Sequence, residues 1–122
     1  MRACALAVTA LIVLACAGCS ARQGDFTLLS TQNVDLKRVM LAREQQNPEP
    51  TVGKDVQHWF LIFPVSSAAN LEEAVDDTLE RGRGDCMADA VIYSYWWHII
   101  LYGQTGWEVK GKVLDTYKVK ME

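Results

Sequence analysis

"NLEEAVDDTLERGRG", residues 70–84, is the stretch that decides the fold. Leu71, Ala74, Val75, Thr78 and Leu79 recur at the spacing of one helical face, and Glu72, Glu73, Asp76, Asp77 and Glu80 fill the other. Asn70 is a good N-cap, and Glu73 three residues on completes a capping-box pattern. The carboxylates crowd toward the N-terminal end, where the helix dipole favours negative charge, and Arg81 and Arg83 stand at the other end. Gly82 or Gly84 is expected to take the left-handed position that ends the helix. A helix with one apolar stripe must bury it against a second layer.

The chain on either side supplies that layer as strands. Residues 86–101 (CMADAVIYSYWWHIIL) favour β structure and are apolar on both alternating faces. Residues 102–106 (YGQTG) read as a turn. In residues 107–114, Trp107, Val109, Gly111 and Val113 point one way, and Glu108, Lys110 and Lys112 point to solvent. This is a half-exposed antiparallel strand that closes a hairpin with the segment before it. Upstream, residues 56–65, centred on WFLIF at 59–63, read as a buried strand stopping at Pro64. Residues 45–53, with Pro48 and Pro50, read as a loop. Residues 39–42 read as a short strand, the alternative being a helical turn begun at Asp35, and residues 26–34 as a first strand. The expected fold is α+β: a two-layer domain with a mostly antiparallel sheet of four to five strands and one packed helix.

The chain has 122 residues, enough for one domain. Twelve Lys and Arg face fifteen Asp and Glu, a formal net charge of −3. A mildly acidic domain lacks the electrostatic footprint of a nucleic-acid binder. There is also no basic amphipathic stretch suited to anionic lipid surfaces.

The N-terminus carries an address. Met1 and Arg2 form a short positive start, and residues 3–18 carry no charge and are rich in Ala, Leu and Val. That run is short for a membrane span, which needs roughly 20 apolar residues, and fits a cleaved signal peptide. Cysteines stand where an ordinary signal would have none: Ala17-Gly18-Cys19, and before it Val13-Leu14-Ala15-Cys16. This resembles the lipobox of bacterial lipoproteins, in which small residues precede a cysteine that is acylated and becomes residue one. Cys19 matches the small-residue positions but has Cys16 in the aliphatic slot; Cys16 has bulky Leu14 near the cut. Cys19 is therefore preferred, with Cys16 as the alternative. The resemblance implies a signal peptide over 1–18, a polar tether over 19–25 and a single domain over 26–122. It also implies a membrane partner through acyl chains on the cysteine. Ser20, rather than Asp, follows Cys19, which by the same resemblance favours the outer membrane, facing the periplasm. Through DFTLLSTQNVDL (25–36), residues 74–97 and YGQTGWEVKGKVLDT (102–116), the rest of the chain looks like small bacterial envelope lipoproteins of uncharacterised function. That likeness assigns no site residues.

Candidate chemistry is sparse. His58 and His98 each abut a tryptophan, and with Cys86 or Asp89 they could approach a metal site if their strands paired. Their spacing matches no standard ligand pattern, and no metal or cofactor is expected. Cys86 follows Asp85 and a helix C-terminus, both of which raise a thiol's pKa, so a buried inert cysteine is expected rather than a nucleophile. Gly82-Arg83-Gly84 is too short for a phosphate loop and lies at the wrong helix end for an anion. The acidic run from Glu72 to Glu80 reads as a solvated face. Catalytic residues are not expected. Tyr93, Tyr95, Trp96, Trp97 and Tyr102 are the interaction-surface candidates. They either fill a core or are left over for a partner protein or lipid interface. The functional expectation is a lipid-anchored envelope module that binds or builds without catalysis. The alternative is a periplasmic sensor or carrier of a small apolar ligand held between helix and sheet.

Overall fold

The computed structural model describes residues 5, 6, 8, 9 and 18–120. Within them the chain runs β1 (Cys19–Leu29), α1 (Leu36–Gln45), β2 (Pro50–Phe60), β3 (Phe63–Pro64), α2 (Leu71–Gly82), β4 (Cys86–Ile99) and β5 (Tyr102–Leu114). A 3-10 turn, Thr116–Lys118, follows. The strands make one antiparallel sheet in the order β1-β4-β5-β2-β3. This is the α+β architecture that the patterning predicts, with a second helix added.

α2 forms as its residues dictate. Asn70 accepts from the Glu72 N–H at 3.0 Å. The Asn70 N–H donates to the Asp55 carboxylate at 2.7 Å, so the back-bond that a capping box gives to Glu73 comes from β2 instead. Ala74, Val75, Thr78 and Leu79 are buried, and Ala74, Val75 and Leu79 cluster with Met87, Ala90, Ile92, Val109 and Val113. The helix lies so close to β2 that a Cβ on Gly53 would stand 2.3 Å from Thr78 Oγ1. The left-handed residue at its end is Arg83, with φ 56°, rather than either glycine. A Cβ on Gly82 would stand 2.3 Å from Val113 Cβ, and one on Gly84 2.2 Å from the Leu114 carbonyl oxygen. Close approach to β5 claims both glycines, and the left-handed position falls between them.

β4 serves two cores by alternation, and one extra residue sets which of its side chains reach each. Its register with β5 shifts between Ala88 and Val91, where Asp89 adopts φ 52°. This is a β-bulge. It keeps Met87 and Ala90 together in the α2 cluster. Cys86 and Ala88 instead join Val39, Ala42 and Leu114 beneath α1, on the opposite face. Arg43 of α1 pairs with the Asp89 carboxylate at 2.9 Å.

Several boundaries depart from the patterning. Residues 39–42 are helical, not a strand: Asp35 accepts from the Lys37 N–H at 2.9 Å and starts α1. Val39 and Ala42, three apart, are buried, while Met40 is 72% exposed. Residues 19–25, expected as a tether, are paired with β4 from Cys19 opposite Trp96 to Asp25 opposite Val91. Backbone pairing on an edge needs no apolar side chains, and most of these remain exposed. Pro50 to Gly53 belong to β2 rather than a loop; a proline is tolerated as the first residue of a strand. The apolar run 56–65 is not one buried strand. It turns at Leu61–Ile62 and returns as β3. The β4–β5 turn is Ile100–Leu101, not 102–106. Gly103 and Gly106 lie inside β5, where a Cβ would meet the His98 ring at 2.2 Å and the Asp55 carbonyl at 2.4 Å.

Two outcomes follow from this packing. Leu79→Ala should cost roughly 2–5 kcal/mol in chemical denaturation; a neutral result would mean that the α2 stripe does not face the sheet. Asp77 accepts from the Lys54 N–H at 3.0 Å and from Arg81 at 2.8 Å. Partial burial pushes its carboxyl up, but the Arg81 and Lys54 hydrogen bonds together outweigh this and hold it below its ordinary 3.8. Its contribution is complete above that value and is lost as pH falls through the lower folded-state value. Asp77→Asn should therefore reduce stability at about pH 7 and match the parent at about pH 2, as read by thermal melting across pH.

Candidate functional site

The aromatic residues of β4 lie toward one end of the sheet, and strand alternation divides them. Trp96 pairs with Thr105, which shares a face with Trp107, itself packed on the α2 cluster. Trp96 therefore stands on the face that carries α2, and is 53% exposed. Tyr93, Tyr95 and Trp97 point to the other face, where Tyr95 and Trp97 meet side chains from β2 and β5. Trp97 meets the Tyr102 ring edge-on at 5.5 Å between centroids. Tyr102 stacks on His58 at 5.8 Å. Its hydroxyl bonds to His58 Nδ1 and accepts from Gln104 Nε2 at 3.1 Å. Lys54 Nζ lies 5.6 Å from the centre of the Tyr95 ring and pairs with Glu108 at 2.7 Å. Burial pushes the Tyr95 phenol up, and the hydrogen bond to Glu108 raises Lys54. Of the five surface candidates, four share this face and Trp96 does not.

The sequence reading missed what lies beyond them. Ile62 is 80% exposed and Ile100 67%, and Phe60, Leu61, Phe63, Ile99 and Leu101 are exposed beside them. The Leu61 N–H donates to the Leu101 carbonyl at 2.8 Å, so the β2–β3 and β4–β5 turns are tied side by side. Trp97, Ile99, Ile100, Leu101 and Tyr102 enclose a shallow apolar depression of about 430 Å³. A signal was present: residues 56–71 and 90–107 contain no Asp, Glu, Lys or Arg.

The catalytic and metal candidates do not converge. β5 separates the histidine-bearing strands: His58 is opposite Gln104 and His98 opposite Gly103. Neighbouring positions on one strand face opposite ways, so the histidines lie on opposite faces. Among the described residues, no group of three or more His, Cys, Asp or Glu side chains is placed to hold a metal. Cys86 is fully buried, and desolvation, with Asp85 and Asp115 nearby, pushes its thiol up to about 11. The Asp85 carboxylate is spent on the Thr116 N–H, at 2.8 Å, and on the Thr116 hydroxyl. An acidic groove of about 580 Å³ runs between the outer face of α2 and the C-terminal segment, lined by Glu72, Asp76, Glu80, Asp85 and Asp115 with Arg83 at its rim.

Cys19 is exposed at the first position of β1. Gly18 precedes it against Trp97, where an added Cβ would stand 2.9 Å from Trp97 Cβ. Cys16 and most of the proposed signal peptide lie outside the described residues. No helix among the described residues is long and apolar enough to cross a membrane. No protein-family model, no curated protein and no solved structure matches the chain.

The burial of Cys86 sets an expected outcome. It should alkylate slowly in the folded protein, quickly once unfolded, and form no disulfide, as read by mass spectrometry after thiol blocking. A bond between Cys19 and Cys86 would overturn both this and the choice of Cys19 for acylation.

Proposed function

We propose that this chain is a lipid-anchored cell-envelope protein, acylated at Cys19 and held at the outer membrane facing the periplasm, where its domain acts as a non-catalytic binding or structural module. The observation that carries the reading is the position of Cys19. An exposed thiol stands at the head of an edge strand, directly after a charge-free apolar segment with small residues at its end. Two acyl chains make such an anchor firm where one would not, at roughly 0.8 kcal/mol per buried methylene. The non-catalytic part is supported by how the reactive groups are spent. Cys86 is held as a neutral buried thiol, and His58 is occupied by Tyr102 and Gln104. The rival reading, a carrier of a small apolar ligand between helix and sheet, gains no support from the filled contact of Gly53 with Thr78.

Metabolic labelling with a fatty acid tests the anchor. Cys19→Ala should abolish labelling and release the protein from the detergent phase, while Cys16→Ala should still label. Loss of label in Cys16→Ala alone would move the anchor to Cys16. Normal labelling in both variants would sink the lipoprotein reading.

A further inference from the structure

The row order of the sheet shows a sharp change in polarity along the strands. The last charged row is Asp55 opposite Trp107, which is opposite Ser94, which is opposite Ala21. From the next row to the turns the sheet carries no Asp, Glu, Lys or Arg. Two rows beyond Asp55 come Gln57, Thr105, Trp96 and Cys19. Three rows further, about 10 Å along the strands, stand Phe60, Tyr102 and Ile99, with Phe63 paired to Phe60. The two tied turns project past them.

The turns themselves are unusual. Two-residue turns in water favour Asn, Asp and Gly, which accept positive φ without strain. Here Leu61 has φ 55° and Ile100 φ 33°. Both occupy the left-handed region that bulky and β-branched side chains avoid. The fold accepts backbone strain to present apolar side chains at the tips.

We infer that the paired turns Leu61–Ile62 and Ile100–Leu101 form a membrane-insertion surface that dips into the lipid bilayer on which Cys19 is anchored. The occupant is set by where the anchor stands: Cys19, paired with Trp96, is on the same end of the sheet as the tips. With residues 19–25 paired into β1 there is no slack between anchor and domain. An interfacial element sinks roughly 5–10 Å into the headgroup and acyl boundary. The Phe60, Tyr102 and Ile99 row, about 10 Å from the Cys19 row, stands at the deep limit of that range, with the tips beyond it. Trp96, Trp97 and Tyr102 then fall at the level where amphipathic aromatics collect, and the charged rows stay in water. The proposal takes its orientation from the anchor reading above.

The test uses the full chain, extracted from membranes and reconstituted into phosphatidylcholine vesicles with brominated acyl chains. Bromine quenches tryptophan only within the acyl region, and Trp59, Trp96 and Trp97 lie near the tips. The parent should show quenched, blue-shifted emission. The double variant Ile62→Asp, Ile100→Asp should lose the quenching while remaining in the vesicle fraction and carrying the fatty-acid label. Aspartate is among the residues that tolerate positive φ, so the Ile100 site stays foldable. Leu36→Asp, equally exposed but on α1 at the far end of the sheet, should change nothing. Unquenched emission from a labelled parent would overturn the insertion surface and leave the anchor standing, as would tips buried against a second copy or another protein. Quenching without any label would overturn the anchor and leave the insertion surface standing.

Discussion

The pairing of β4 with β5 is the constraint on which the rest of the molecule depends. It runs from Cys86 opposite Leu114 to Ile99 opposite Tyr102, and the other strands are built outward from its two edges. β1 takes its register from β4, and β2 takes its register from β5. A slip of one residue would move every side chain to the other face. The Asp89 bulge is the one place where this ladder gives way, and it resets the alternation so that Ala90 and Ile92 stay on the α2 face with Met87. Alternation lets α2 lie on one face and α1 on the other, and that one residue decides which side chains each helix meets.

What was legible in the residues was local. α2 announces itself because a 3.6-residue stripe, an N-cap and a dipole-matched charge gradient all agree over residues 70–84. The alternation of residues 107–113 is just as plain, since half of that strand faces water. The boundaries were not legible, and for a shared reason. Turns are usually found by their glycines and polar residues, but here Gly103 and Gly106 serve close backbone approach and the true turns are Leu61–Ile62 and Ile100–Leu101. The apolar run 56–65 hid a hairpin because nothing polar marks its tip. β1 begins in a polar stretch, since an edge strand can be held by its partner's backbone alone.

The same physics explains what the sequence reading found and missed of the candidate site. An aromatic run such as residues 93–97 shows that large side chains are concentrated. It does not show how strand alternation divides them, which is why Trp96 parts company with Tyr93, Tyr95 and Trp97. The approach of His58 to His98 required β2 to pair with β4, and the intervening β5 sends them to opposite faces. Tertiary order, not residue type, decides both questions.

The placement of Cys19 at the head of β1 has a mechanical side. The β1–β4 hydrogen bonds run perpendicular to the strands. A pull on Cys19 directed along the strand axis, toward the turns, loads those bonds together in shear, so that no single pair at one end bears the force alone. A pull sideways from the sheet edge would instead peel β1 away pair by pair, beginning at Trp96. The strand that starts at the thiol is therefore strong in one direction and weak in another, and the direction of strength is the axis of the strands.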